Sequence, residues 1–285
     1  MVTPFDASGA VDYALAARVA QFLVEQGNDA LVVAGSTGEG SALTDEEKLE
    51  LFSVVASAVS VPVIAGTSSP DTAKSVALTA EASRRGIAGI LATTPSYVRP
   101  SQAGIAAHLG AMAEATDLPV MLYDIPARAG RKIAAATTVE LFAKHRNVVA
   151  VKDASGDLVQ AAQYRAAIGP RCELYSGDDA LTLPFLGIGA VGVVSVAGHW
   201  AAPEFLELLN AHRSGHLEDA LRVAARLSAS CSFEGNETYP NPQPAKAALR
   251  YLGLPVGHCR LPLGVSDAAL DADAKSVIDA LRASR

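Results

Sequence analysis

No run of basic residues appears in this 285-residue sequence, and its formal net charge is −7. That balance excludes nucleic acid and anionic membrane surfaces as expected partners. No apolar run approaches the roughly 20 residues that a membrane helix needs. Cysteine is scarce, and Cys172, Cys231 and Cys259 are odd in number and far apart. This excludes a disulfide framework and fits a reducing compartment, the cytoplasm. The opening MVTPFDASG has neither the basic nor the apolar region of a signal peptide. Asn-Glu-Thr at 236 spells a glycosylation acceptor that carries no weight without secretion. The six histidines, at 108, 145, 199, 212, 216 and 258, show no metal-ligand spacing, so no metal is expected. His199 alone is kept as a minor candidate for touching a substrate. Lysine is scarce too, with seven against sixteen arginines.

Apolar residues are plentiful at 50%, enough for a sizeable core. Short β-branched runs alternate with Ala/Leu-rich stretches of helical period. The strand-like runs are 30–35, 61–66, 87–93, 118–124, 147–153, 172–177 and 192–197. Helices are expected near 12–26, 45–59, 72–85, 102–115, 138–145, 157–167, 179–186 and 203–213. Thr44 and Glu47 spell a capping box at the second of these. Such alternation implies parallel strands with crossover helices, and the count is one strand short of a (β/α)8 TIM barrel. Only Met1–Thr3 remains for a first strand before Pro4. Either that strand is very short or the natural start lies upstream. Past residue 215 the strand pattern stops, and 216–231, 243–252 and 267–283 read as helices. The expected organisation is a barrel over 1–215 and a helical appendage over 216–285.

Barrel sites form at the C-terminal strand ends. Those ends carry Gly35-Ser36-Thr37-Gly38-Glu39-Gly40, Thr93-Thr94-Pro95-Ser96-Tyr97, Tyr123 with Arg128 beyond it, Lys152, Ser176-Gly177 and Val194. Lys152 is the strongest of these, because an ammonium rarely caps a buried β-branched run. Desolvation favours the free amine of a lysine, which attacks a ketone or aldehyde to give a Schiff base. The alternative is a lysine paired with Asp153 or standing in solvent past the strand, and strand evidence alone does not separate the two. Tyr123, one strand over, either shuttles protons or is a core tyrosine. The glycines and hydroxyls of 35–40 suit a carboxylate or phosphate, or a plain turn. Arg128 suits a bidentate carboxylate contact, or a surface salt bridge. Gly187–Gly192 spells a dinucleotide fingerprint but follows a helix and opens a strand, the reverse of the context that motif needs.

With these residues placed, the sequence resembles the dihydrodipicolinate synthase / N-acetylneuraminate lyase family of pyruvate-dependent class I aldolases. The ordered matches are VTPF, GSTGEG, TTPSY, LYDIPARAG, VKDASGD, SGDDA, GVVSV, NPQPAKAALRYLGL and RLPL, spanning nearly the whole chain. The resemblance implies a (β/α)8 barrel with a C-terminal helical domain, a homotetramer or homodimer, and no metal or organic cofactor. It implies that Lys152 forms the imine with pyruvate and that Tyr123 shuttles protons. It implies that Ser36 relays protons to Tyr123, and that Ser36 and Thr37 hold the pyruvate carboxylate. Tyr97 would complete the relay in a neighbouring subunit, and the carbonyls of Gly177 and Val194 would face the substrate. Arg128 would bind the carboxylate of aspartate semialdehyde. The implied product is hydroxytetrahydrodipicolinate, on the route to lysine and diaminopimelate.

Several positions depart from the family pattern. Ser96 stands where the first of two tyrosines is usual, and Gly40, Ser41, Asp45, Lys48 and Lys74 differ from lysine-inhibited members. Weak or absent inhibition by L-lysine is therefore expected, as is a looser tetramer or a dimer. Arg128 favours a synthase, whereas Gly-Ser-Thr is a lyase-like spelling. Two other readings stay open. One is a family aldolase for a 2-keto-3-deoxy sugar acid, 4-hydroxy-2-oxoglutarate or sialic acid. The other is a catalytically idle binding barrel.

Overall fold

The computed structural model describes residues 1–284. In chain order the elements are α1 (Tyr13–Glu25), β1 (Leu31–Val33), α2 (Asp45–Ala58), β2 (Val63–Gly66), α3 (Thr72–Ala82), β3 (Gly89–Thr93) and α4 (Gln102–Glu114). Next come β4 (Val120–Asp124), α5 (Pro126–Ala129), α6 (Ala135–Lys144), β5 (Val148–Asp153), α7 (Leu158–Ile168), β6 (Glu173–Ser176), α8 (Thr182–Gly187) and β7 (Gly192–Val193). The chain ends in α9 (Ala202–Arg213), α10 (Leu217–Phe233), α11 (Gln243–Tyr251) and α12 (Ala268–Ala283). Every expected strand is present, though β7 shrinks to two residues. Past it the chain bends, and the Ser195 hydroxyl accepts from the Gly198 N–H at 2.6 Å. The one-turn helix α5 was not expected. It is too short for a 3.6-residue period to show, but Pro126 presets its first turn and Gly130, at φ 77°, closes it.

The chain divides into two compact units, one made of Met1–Val63 with the segment from Ser195 onward, the other of Ile64–Val194. In the first, α2 starts with the expected capping box between Thr44 and Glu47. α10 buries Ala220, Val223, Leu227, Ser230 and Phe233, an amphipathic stripe at three- and four-residue steps. α11 is buried almost throughout, including Lys246. Met1–Thr3 forms no regular strand. It is a buried extended segment in which the Val2 N–H donates to His199 Nε2 at 3.0 Å and Thr3 Oγ1 donates to the Gly38 carbonyl at 2.6 Å.

In the second unit β2 to β7 pair in chain order, all parallel. Asp71, Ser101 and Asp157 cap the helices that follow strand ends, each accepting a first-turn N–H. The β4–β5 pair holds one irregularity. Val120 lies opposite Val148, but Met121 lies opposite Ala150, so Val149 is an extra residue on β5. This bulge matters, because sheet side chains alternate with period two. An unbroken register would put Tyr123 opposite Val151. The extra residue puts Tyr123 opposite Lys152 instead.

Candidate active site

Lys152 lies inside β5, half-buried, and its Nζ stands 4.1 Å from the centroid of the Tyr123 ring. Tyr123 is 3% exposed. A cation over a tyrosine face is attracted by the ring's quadrupole, so the amine has a fixed seat before any substrate arrives. The alternative in which Lys152 pairs with Asp153 is set aside by the geometry. Asp153 is fully buried, accepting from Tyr164 OH at 2.8 Å and from the Ser155 N–H at 2.8 Å. Lysine and aspartate are neighbours in sequence and therefore point to opposite faces of the strand.

The adjacent strand ends lie beside Lys152 in the sheet. Gly177 donates its N–H to the Asp153 carbonyl at 2.7 Å, and Val194 donates to the Ser176 carbonyl at 2.8 Å. A side chain at Gly177 would sit 2.9 Å from Ala154 Cβ, so only glycine lets the backbone pass there. Arg128 is exposed on α5. The segment after α5 is tied to the Tyr97 loop, since Arg99 Nε donates to the Gly130 carbonyl at 3.0 Å. Tyr97 itself is 92% exposed and held at φ 70°. A non-glycine residue in the left-handed region, with an aromatic ring in water, carries two costs that a purely structural loop would shed.

Ser36 and Thr37 belong to the first unit. Their loop is strained at both ends, with Ala34 and Glu39 each at φ 54°. Gly40 has no room for a side chain, as a Cβ would stand 2.1 Å from the Ala34 carbonyl oxygen. Glu39 is the buried anchor. Its carboxylate meets Lys246 Nζ at 2.6 Å and accepts from the Arg260 N–H at 2.9 Å. Thr37 Oγ1 accepts from Asn241 Nδ2 at 3.0 Å. The loop leads into a single 3-10 turn at Gly40–Ala42, so the expected nest lies ahead of a turn and not of an α-helix.

His199 is a structural residue, not a substrate contact. It is 3% exposed, Nε2 accepts from the Val2 N–H, and Nδ1 therefore carries the proton donated to the Val196 carbonyl at 2.7 Å. Burial pushes its pKa down to about 3. Among the described residues no group of three or more His, Cys, Asp or Glu is placed to hold a metal. Two functional candidates escaped the sequence reading. Asn241 opens the family match NPQPAKAALRYLGL, but it is 204 residues from the hydroxyl it binds and the motif does not say which group it meets. Asp124 follows Tyr123, is 3% exposed, and accepts from the Ile133 N–H at 3.1 Å. Burial raises its pKa to about 7.

A parallel βα unit with a strand-end lysine seated on a neighbouring tyrosine defines a class, the barrel enzymes with a half-buried amine at the strand ends. Comparison with known proteins narrows it. The sequence profile of the Dihydrodipicolinate synthetase family matches residues 1–281. A relative in Halalkalibacterium halodurans, 4-hydroxy-tetrahydrodipicolinate synthase 2, is 47% identical over 265 residues, 92% of this chain and 90% of that one. The 4-hydroxy-tetrahydrodipicolinate synthase of a Synechococcus species is 43% identical over 99% of this chain and 93% of that one. The crystal structure of the enzyme from Cyanidioschyzon merolae, with lysine bound, superposes with a TM-score of 0.95 at 44% identity, covering 99% of this chain and 96% of that one. The chain belongs to the dihydrodipicolinate synthetase family, and its fold is the (β/α)8 barrel with a C-terminal helical domain.

Proposed function

We propose that this chain is a class I pyruvate aldolase that condenses pyruvate with L-aspartate 4-semialdehyde to give 4-hydroxy-tetrahydrodipicolinate. The observation that carries the reading is the Lys152 amine 4.1 Å above the Tyr123 ring, in a chain of this family. The Lys152 nitrogen attacks C2 of pyruvate, water leaves, and an imine forms. A methyl proton is lost and the enamine results. Its carbon attacks the aldehyde carbon of the semialdehyde. The amine of the adduct then closes onto the imine carbon and expels Lys152. No cofactor is needed, because the protonated imine is itself the electron sink.

Tyr123 moves the protons, with Ser36 and Tyr97 as relay partners. Thr37 and Ser36 hold the pyruvate carboxylate, the carbonyls of Gly177 and Val194 face the substrate, and Arg128 receives the carboxylate of the semialdehyde. The roles of Ser36 and Thr37 rest on their motif and on the strained loop that presents them. The strained, exposed Tyr97 supports a homotetramer or homodimer in which it serves a neighbouring subunit. The proposed division into a barrel over 1–215 and a helical appendage over 216–285 is one of topology, at the turn between α9 and α10, whereas the compact units divide at Val63/Ile64 and Val194/Ser195. No described helix is long and apolar enough to cross a membrane, and the chain is assigned to the cytoplasm on its cysteine usage.

Weak or absent inhibition by L-lysine belongs to the same reading. Lys48 is buried against Asp45 at 3.3 Å, and Lys74 is an exposed cation in the first turn of α3. A titration of activity with L-lysine checks this, and half-inhibition at micromolar lysine would refute it. The reaction class is tested by trapping. Protein, pyruvate and borohydride are mixed, and the modified peptide is found by mass spectrometry. A pyruvyl adduct on Lys152 is expected. Folded protein with no adduct would overturn the aldolase reading. An adduct without turnover of aspartate semialdehyde would move the substrate to another aldehyde.

A further inference from the structure

We infer that Asn241 is a positioning residue that fixes the direction of the Thr37 hydroxyl and thereby sets affinity for pyruvate; this rests on the proposed carboxylate-holding role of Thr37. A threonine hydroxyl has one proton and two acceptor sites. Asn241 Nδ2 donates to Thr37 Oγ1 at 3.0 Å, so one acceptor site is filled and the hydroxyl proton must point elsewhere. A free rotor would spend part of its time with the proton turned away from a ligand anion. The asparagine amide removes that option, because a donor facing a donor repels. Thr37 is thus held as a donor, the state that a carboxylate requires.

The asparagine is itself held. It immediately precedes the segment that opens α11, and α11 is anchored to the same loop two residues from Thr37. Lys246 Nζ meets Glu39 Oε1 at 2.6 Å and also donates to the His258 carbonyl at 2.8 Å, and the Arg260 N–H donates to Glu39 Oε2 at 2.9 Å. Thr3 Oγ1 pins the Gly38 carbonyl between the two ties. A loop with left-handed backbone at Ala34 and Glu39 would relax without such ties. The C-terminal helical segment therefore bears on the chemistry through the hydroxyl it orients, with no contact to substrate required of it.

The test uses three variants of the full-length chain, Asn241→Asp, Asn241→Ala and Thr37→Val. KM for pyruvate and kcat are measured beside a thermal melt. The pyruvate dependence of borohydride trapping on Lys152 gives a readout independent of turnover. Asn241→Asp is isosteric but reverses the bond, since a carboxylate takes the Thr37 proton. KM for pyruvate should rise about tenfold or more, with kcat changed less than about threefold. Asn241→Asp placed on Thr37→Val should add nothing further, because the partner hydroxyl is gone. If Thr37→Val raises KM but Asn241→Asp leaves it unchanged, the inference is overturned while the role of Thr37 stands. If Thr37→Val leaves KM unchanged, the role of Thr37 fails and the inference falls with it. Should Asn241→Asp not fold, Asn241→Ala decides. A raised KM supports the tie, and an unchanged KM overturns it.

Discussion

Replacing Lys246 with methionine should destabilise the protein far more than replacing it together with Glu39. The Lys246–Glu39 pair is 2.6 Å apart, and both side chains are 1% exposed. The ammonium also lies 4.2 Å over the Phe5 ring, and burial lowers its pKa even beside a carboxylate. Lys246→Met leaves the Glu39 carboxyl group in a dry site without its cation, with the Arg260 N–H and the Cys259 thiol beside it. Stranding one member of a buried pair costs about 3–5 kcal/mol. At about 2–4 °C per kcal/mol for a chain of this size, the melting temperature should fall by about 6–20 °C. In the double variant Glu39→Gln/Lys246→Met no charge is stranded, and the glutamine oxygen can still accept from the Arg260 N–H. At least half of the loss should return, since apolar replacement of a whole buried pair is often close to neutral. Urea unfolding at one fixed protein concentration measures the cycle, so that the proposed association of subunits contributes equally to every variant. A loss below about 1 kcal/mol for Lys246→Met, or a double variant as unstable as the single, would refute the account of a dry, mutually dependent pair.

Two further outcomes follow from buried titrating groups. His199 has a folded pKa of about 3, below its unfolded value of about 6.5, so acidification protonates the unfolded chain first. Stability should fall as pH drops below about 6.5, by about 2 kcal/mol at pH 5, and His199→Gln should flatten that slope in urea titrations. Asp124 has the opposite sense. Its folded pKa of about 7, raised first by burial and also by Asp153, exceeds its unfolded value, so stability is lost as pH rises through 4 to 7. Asp124→Asn keeps an acceptor for the Ile133 N–H and loses the charge. It should stabilise the protein at pH 8 by about 2–4 kcal/mol and give no gain at pH 4. Equal effects at both pH values would show that Asp124 does not titrate in that range.

The strands were legible because β-branched runs are bounded by glycine and polar turns. Lys152 was legible as a candidate because an ammonium rarely ends such a run, but the strand pattern left a lysine paired with Asp153 or standing in solvent equally open, and only the family motif VKDASGD decided between them. The register between β4 and β5 was not. It turns on one extra residue at Val149, and valine looks the same in a bulge as in a ladder. Helix α5, which carries Arg128, is four residues long and shows no period. The setting of His199 was not legible for a related reason. Its position past a strand end resembles that of a rim residue, but the face it occupies is set by Val2 and Val196. Asn241 and Lys246 were assigned to a helical appendage on pattern alone. Their effect on the GSTGEG loop exists only in three dimensions.

The site's rigidity has a source that the strand alternation makes visible. Tyr123 and Lys152 face one another on one side of the sheet, and each is followed by an aspartate on the other side. Asp124 and Asp153 are register partners in their turn. Asp153 is bound to Tyr164 of α7, whose phenol is raised by burial and by that carboxylate, and so remains a donor. Asp124 takes the Ile133 N–H just before α6. The outer face of both strand ends is thereby fastened, on the side of the sheet away from Tyr123 and Lys152. In the proposed reaction the Lys152 amine, 4.1 Å from the centroid of the Tyr123 ring, must keep that seat while substrate is bonded, rearranged and released. Two-residue motifs, Tyr123-Asp124 and Lys152-Asp153, put the first residue of each on the proposed reacting side and the second on the fastened side. A substitution that removes either aspartate's hydrogen bond should therefore displace its neighbour, whereas Asp124→Asn, which keeps an acceptor for the Ile133 N–H, changes the charge alone.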